Sequence, residues 1–172
     1  MLGTKLVRLI ESRSEFLSRG LIQVICNSER TSDFRKIPED ELQLAAAEVY
    51  RHLGEWLLQK TEHEVARRFQ AIGARRACEG IRVEQMVWAL ILSRDHLWLF
   101  LRREAFADTI VELHSELEMH QLLCHFFDRA IYYAILGHAE AQNQSNIKGD
   151  LTRAREFAIA IGLMSPTKTL EG

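Results

Sequence analysis

The stretch Val83-Glu84-Gln85-Met86-Val87-Trp88-Ala89-Leu90-Ile91-Leu92-Ser93-Arg94-Asp95-His96-Leu97-Trp98-Leu99-Phe100-Leu101-Arg102-Arg103 decides the fold. Met86, Val87, Leu90, Ile91, Leu97, Trp98 and Leu101 recur at three- and four-residue steps, the spacing of one face of an α-helix. Arg94, Asp95 and His96 interrupt the run well before the roughly 20 apolar residues that a membrane-spanning helix requires. The stretch therefore reads as an amphipathic helix packed in a helical protein.

The same period extends in both directions. Upstream, Leu6, Leu9, Ile10, Phe16, Leu17, Leu21, Val24 and Ile25 form one stripe of a long first helix, with Gly20 as a weak point. Ser28 to Lys36 is polar and reads as a loop. Pro38 suits a first helical turn, and Glu39, Asp40 and Glu41 after it suit the positive end of a helix macrodipole. A second helix then carries Leu42, Ala45, Ala46, Val49, Leu53, Trp56 and Leu57 on one face. Thr61 and Glu64 match a capping box for a third helix that buries Val65, Phe69, Ile72 and Gly73, and Gly80 fits its C′ position. Downstream of the opening stretch, Asp108 or Thr109 caps a fifth helix reaching about Gln142, with Leu117, Leu123, Phe127, Ile131 and Ala134 in its core stripe. Asn143-Gln144-Ser145-Asn146 reads as a break. Asp150 would cap a short last helix containing Leu151, Ala154, Phe157 and Ile161, followed by a loose tail from Ser165 to Gly172. No run of alternating β-branched and aromatic residues signals a strand. Short connections imply antiparallel neighbours. The expected architecture is an all-α, single-domain antiparallel bundle of five to six helices over residues 1–142, with residues 143–172 as polar connection, short helix and tail.

Composition supports a globular chain that needs no staple. Of 172 residues, 47% are hydrophobic and 27% charged, a balance that permits a buried core. The formal net charge of −2 provides no global field for nucleic acid or an anionic membrane. Cys26, Cys78 and Cys124 are odd in number and lack metal-type spacing, which points to a reducing compartment. With no secretion signal at the start, a soluble, cytoplasmic protein is expected.

Chemistry-bearing motifs are scarce. A di-iron bundle needs Glu-x-x-His pairs, and the chain has none. Glu48 with His52 and Glu116 with His120 read as surface helix pairs. There is no His-Glu-x-x-His, no Gly-x-Ser-x-Gly elbow and no phosphate loop after a strand. Cys124 and His125 are adjacent on a helix and diverge by about 100°, which is poor geometry for a nucleophile and its base. Catalysis and metal binding are not expected. A helix-turn-helix centred on Ala74 to Ile81 would present Glu84, Gln85 and Trp88 to DNA, with no basic residue before Arg94, so nucleic acid is not an expected partner. No cofactor is expected. The alternative is a haem-binding bundle, with His96 or His120 as axial ligand.

Two stretches carry a family resemblance. One is Ile72-Gly73-Ala74-Arg75-Arg76-Ala77-Cys78-Glu79-Gly80-Ile81, followed by Val83 to Leu90 and Arg94-Asp95-His96-Leu97-Trp98. The other is Phe126-Phe127-Asp128-Arg129-Ala130-Ile131-Tyr132-Tyr133. Together they resemble the RsbRD-type N-terminal sensor domain, a helical module found ahead of stressosome output domains and histidine kinases in bacteria. The resemblance covers roughly Leu6 to Glu140. It implies a non-catalytic sensor or regulatory module of signal transduction and stress response that acts by protein–protein contact with a signalling partner. Nothing after Glu140 is long enough for a kinase or phosphoacceptor domain, so the expectation is a stand-alone module that signals by association, or else a sensor fragment.

Three expectations follow. The first-helix stripe pairs two copies into a homodimer, or else packs on the monomer's own core. Phe69, Trp88, Trp98 and Phe127, with His96 and His120, line a pocket for a small apolar ligand, or else pack solid. Arg76, Arg94 and Asp128 form a buried polar cluster, as a switch or as a structural clamp, or else extend to water.

Overall fold

The computed structural model describes residues 2–58, 62–104 and 110–161. Seven helical segments make up the fold, with no strand among the described residues. They are α1 (Leu2–Ser12), α2 (Ser14–Asn27), a 3-10 segment (Glu29–Lys36), α3 (Glu39–Leu58), α4 (Glu62–Cys78), α5 (Val83–Glu104) and α6 (Ile110–Ala160). The chain is all-helical, as its periodicity requires, but the count is seven rather than five to six. The expected caps at Thr61 and at Asp108 or Thr109, and the tail from Ser165, lie outside the described residues.

The first helix is two helices. Ser12 Oγ donates to the Leu9 carbonyl at 3.0 Å, and Arg13 leaves the helical region at φ −108°, ψ 14°. Gly20, the expected weak point, lies inside an unbroken α2. Local side-chain bonding of this kind competes with the helix ladder. Leu6, Val7 and Ile10 on α1 and Leu17, Leu21, Ile22 and Ile25 on α2 are buried, whereas Phe16 and Val24 are exposed. Most of the first stripe is thus covered by the chain's own core.

The polar stretch after α2 is also helical. Ser28 Oγ accepts from the Arg30 N–H at 3.3 Å. The buried Thr31 donates its hydroxyl hydrogen to the Ile25 carbonyl at 2.5 Å. Asp33 joins this segment to α5, because its Oδ2 accepts from Arg82 N at 3.2 Å and from Arg82 Nε at 3.0 Å. In return Gln85 Oε1 accepts from the Asp33 N–H at 2.6 Å. A carboxylate on one element therefore caps the start of another.

The third difference is α6, a single helix of 51 residues, roughly 75 Å long at 1.5 Å per residue. Asn143 to Asn146 do not break it. Asn and Ser cost a helix only about 0.5 kcal/mol each relative to Ala, and no proline intervenes. The core stripe of α6 is Met119, Leu123, Phe126, Phe127, Ala130 and Ala134, with Leu117 exposed.

One buried cluster draws on every helix. At its centre the Trp56 and Phe126 rings stack with centroids 5.9 Å apart, and Phe69 meets Phe126 edge-on at 5.6 Å. Backbone meets backbone between α4 and α6. A Cβ built on Gly73 collides with the Ala134 backbone, and one built on Gly137 collides with the Gln70 backbone. The end of α4 is equally specified. The Gly80 N–H bonds to the Ala77 carbonyl at 3.1 Å and the Ile81 N–H to the Arg76 carbonyl at 3.0 Å, a Schellman motif with Gly80 at φ +73°. His138, buried on α6, donates from Nε2 to the Ile81 carbonyl at 2.7 Å.

Gly73→Ala and Gly137→Ala are each expected to destabilise the protein by about 1–3 kcal/mol, because backbone cannot rotate away as a side chain can. Gly149→Ala, where nothing lies within 4 Å, is the control and should cost nothing in a urea titration. The Arg82 hydrogen bond holds the Asp33 carboxyl at about 2, below its ordinary 3.8. A depressed folded-state value stabilises above the ordinary value and loses that contribution as pH falls through the folded one. Asp33→Asn should therefore flatten the stability profile between pH 3.8 and about pH 2 in melts compared with the parent chain.

Candidate functional site

Five helices and the 3-10 segment fail to close completely over the core, leaving a cavity of about 110 Å³. Short side chains make the space: Ala45 and Ala46 on α3 and Ala89 on α5 stand where larger residues would fill it. Leu21 of α2, Phe34 of the 3-10 segment, Phe69 of α4 and Phe127 of α6 supply apolar walls.

Three polar side chains reach this lining: Tyr50, Arg76 and Ser93. Ser93 donates its hydroxyl hydrogen to the Ala89 carbonyl at 2.7 Å. Arg76, only 7% exposed, pairs with Glu79 and places its guanidinium 5.7 Å from the Phe34 ring centre. Glu79 also receives Arg75 Nε at 2.8 Å, and Arg75 reaches across to Glu41 on α3. Tyr50 differs. It is 1% exposed, and its hydroxyl is the buried side-chain polar atom without a hydrogen-bond partner among the described residues. Burial pushes its phenol well above the ordinary value, so the group stays neutral and able to donate. Buried polar atoms are nearly always paired, so an orphan in a cavity wall calls for an explanation.

The motif Arg75-Arg76-Ala77-Cys78-Glu79-Gly80-Ile81 is thus a helix terminus, a buried cation and its counter-ion in one. The family described as "RsbT co-antagonist protein rsbRD N-terminal domain" matches residues 17–148, from α2 into the far part of α6. The chain belongs to this family. It is a regulatory domain of stressosome-type signal transduction. No curated protein and no solved structure matches the chain.

Within this RsbRD N-terminal domain the residues singled out from sequence separate. Phe69 and Phe127 line the cavity. Trp88 lies beneath the Arg30 guanidinium, 4.4 Å from it. Trp98 packs on His120 with ring centroids 4.4 Å apart, and His120 Nε2 lies 3.6 Å from Cys124 Sγ. The His96 ring sits against Gly20, whose built Cβ would lie 3.0 Å from Cε1. Burial lowers the His96 pKa, opposed by a hydrogen bond to the Leu17 backbone. None of these four lines the cavity. Met86, Ala89, Leu90 and Ser93 define the cavity face of α5, and positions 88 and 98 lie roughly 80–100° around the helix from its nearest member, whereas His96 sits about one turn beyond Ser93 and His120 is on α6.

The expected Arg76–Arg94–Asp128 cluster does not assemble. Arg76 is a buried clamp paired with Glu79, Arg94 pairs with its neighbour Asp95 at 3.1 Å, and Asp128 is exposed. No ion pair joins either arginine to Asp128 among the described residues. Asp128 sits one helical step from the face bearing Phe127, Ala130 and Ala134, enough to turn it to solvent.

Tyr50 and His138 went unnoticed in the sequence. The signal was present: Tyr50 follows Ala46 by four residues and precedes Leu53 by three, and His138 follows Ala134 by four, which places both on buried faces. Tyr50→Phe removes a hydroxyl that has no partner, so stability should hold or rise by up to about 1 kcal/mol. A loss of that size in denaturant unfolding would mean that the hydroxyl is bonded after all.

Proposed function

We propose that the chain is a non-catalytic, cytoplasmic regulatory module that passes its signal by protein–protein contact, with two copies joined along the exposed end of α6 and a signalling protein as the further partner. The observation that carries this reading is an apolar stripe left largely exposed among the described residues. Ile147 is 59% exposed, Leu151 65% and Ile161 53%. With Ala154 and Ala158 between them they follow a four-three spacing, the seam of a left-handed coiled coil.

The seam prolongs the face that packs the core. Stepping back by fours and threes from Ile147 leads through Gln144 and Glu140 to Gly137, Tyr133, Ala130, Phe126, Leu123 and Met119. One helix therefore uses one face twice, first against its own chain and then beyond it. Charge supports a parallel second copy. With Leu151 at position a, Asp150, which lies 3.9 Å from Arg153 of its own helix, falls at g and Arg155 at e, the two flanking positions that face each other across a parallel pair. The seam is short and contains two alanines, which makes a weak, concentration-dependent pairing suited to regulation.

Light scattering across a micromolar to high-micromolar series is expected to show the mass rising toward twice the monomer. Leu151→Glu should abolish the rise while leaving the thermal melt unchanged, because this side chain is 65% exposed and lies outside the core. A parent chain that stays monomeric throughout the series would defeat the reading.

A further inference from the structure

We propose that the cavity beside Tyr50 binds a small, neutral, apolar molecule bearing one oxygen that accepts a hydrogen bond, of the class of short ketones and alcohols. This rests on the reading of the chain as an input module and assigns it an input site.

Size comes first. An apolar cavity of roughly 150 Å³ accommodates benzene. The 110 Å³ here suits about four to six heavy atoms on the same scale. The rim is not sealed, since Ala45, Val49 and Leu90 in the lining are only half-buried.

The polar groups then select the occupant. Tyr50 offers a neutral O–H with no acceptor among the described residues. Ser93 has already given its hydrogen to Ala89. Arg76 is neutralised by Glu79. A carboxylate in the cavity would have to give up its hydration and compete with Glu79 for an arginine that is already paired. An ammonium would find no free carboxylate in the lining. A lone water needs two to four polar partners, and the walls offer little beyond Tyr50. A molecule with an apolar body and a single acceptor oxygen satisfies both the orphan hydroxyl and the apolar walls. Phe127 brings α6 into the wall, so the occupant touches the helix that bears the exposed stripe.

The test is an NMR titration of the full chain with cyclopentanone, cyclopentanol, cyclopentane, butyrate and cyclopentylammonium, each of five or six heavy atoms, which differ in the polar group. The ketone and alcohol should shift the methyl signals of Leu21, Ala46 and Ala89 and bind about three- to tenfold more tightly than cyclopentane, as one neutral hydrogen bond allows. The two ions should not shift these signals. In Tyr50→Phe the preference of ketone over hydrocarbon should disappear with cyclopentane binding unchanged. The proposal is overturned if no probe shifts these methyls, if an ion binds best, or if Tyr50→Phe keeps the preference. Light scattering on the same samples separates this outcome from the pairing of two copies: absent binding with pairing intact removes only the ligand site.

Discussion

The backbones of α4 and α6 touch because neither Gly73 nor Gly137 carries a side chain, and the rest of the structure is arranged around that contact. Each glycine faces a stretch of main chain on the other helix, Ala134 for Gly73 and Gln70 for Gly137. Helices so close leave no room for large residues at the crossing. Phe69, Ile72, Arg76 and Phe127 instead line the cavity, while Phe126 takes the adjoining space against Trp56. His138 then secures the α4–α5 turn to α6 through the Ile81 carbonyl. Packing and hydrogen bonding agree on a single register for this pair.

The cavity is a consequence of the same arrangement. With α4 held against α6, the space among α2, α3, α4 and α5 depends on the residues that face it, and three of these are alanines. An interior at ordinary density would close around Tyr50 or supply an acceptor for its hydroxyl. Here neither happens. Arg76 is positioned in the wall yet already balanced, by Glu79 and by the Phe34 ring, which keeps the lining neutral. The shape and polarity of the site thus follow from small residues in α3 and α5 together with an ion pair at the end of α4.

The long helix α6 serves two surroundings with one sequence pattern. Along its first half the apolar stripe meets the core, and along its last turns the stripe meets solvent. No change in residue type marks the transition except Glu140, Gln144 and the polar run between them. The family match ends at residue 148, so nearly all of the exposed stripe lies beyond it. The cavity lining lies wholly within it. The module and its extension are therefore distinguishable both by family and by packing, although one unbroken helix carries them.

The sequence by itself determined the all-helical class, because a 3.6-residue period needs no tertiary information. It also determined Gly80 as a helix terminator, since Cys78-Glu79-Gly80-Ile81 places glycine where a positive φ is required. The stretches from Ile72 to Trp98 and from Phe126 to Tyr133 together were sufficient to place the chain near its family. Breaks were harder to read. Ser12-Arg13-Ser14 ends a helix and Asn143 to Asn146 does not, because penalties of a few tenths of a kcal/mol are outweighed by neighbouring packing and good helix formers. Only the tertiary structure decided which partner each charge found. Arg76, Arg94 and Asp128 all carry inward-facing spacing to within one helical step, and a step of 100° separates a buried clamp from a solvated carboxylate. The cavity was decided in the same way. Periodicity shows which face of a helix is buried, whereas an empty volume depends on how residues from several helices fail to fill the space between them, and that is a property of their mutual packing.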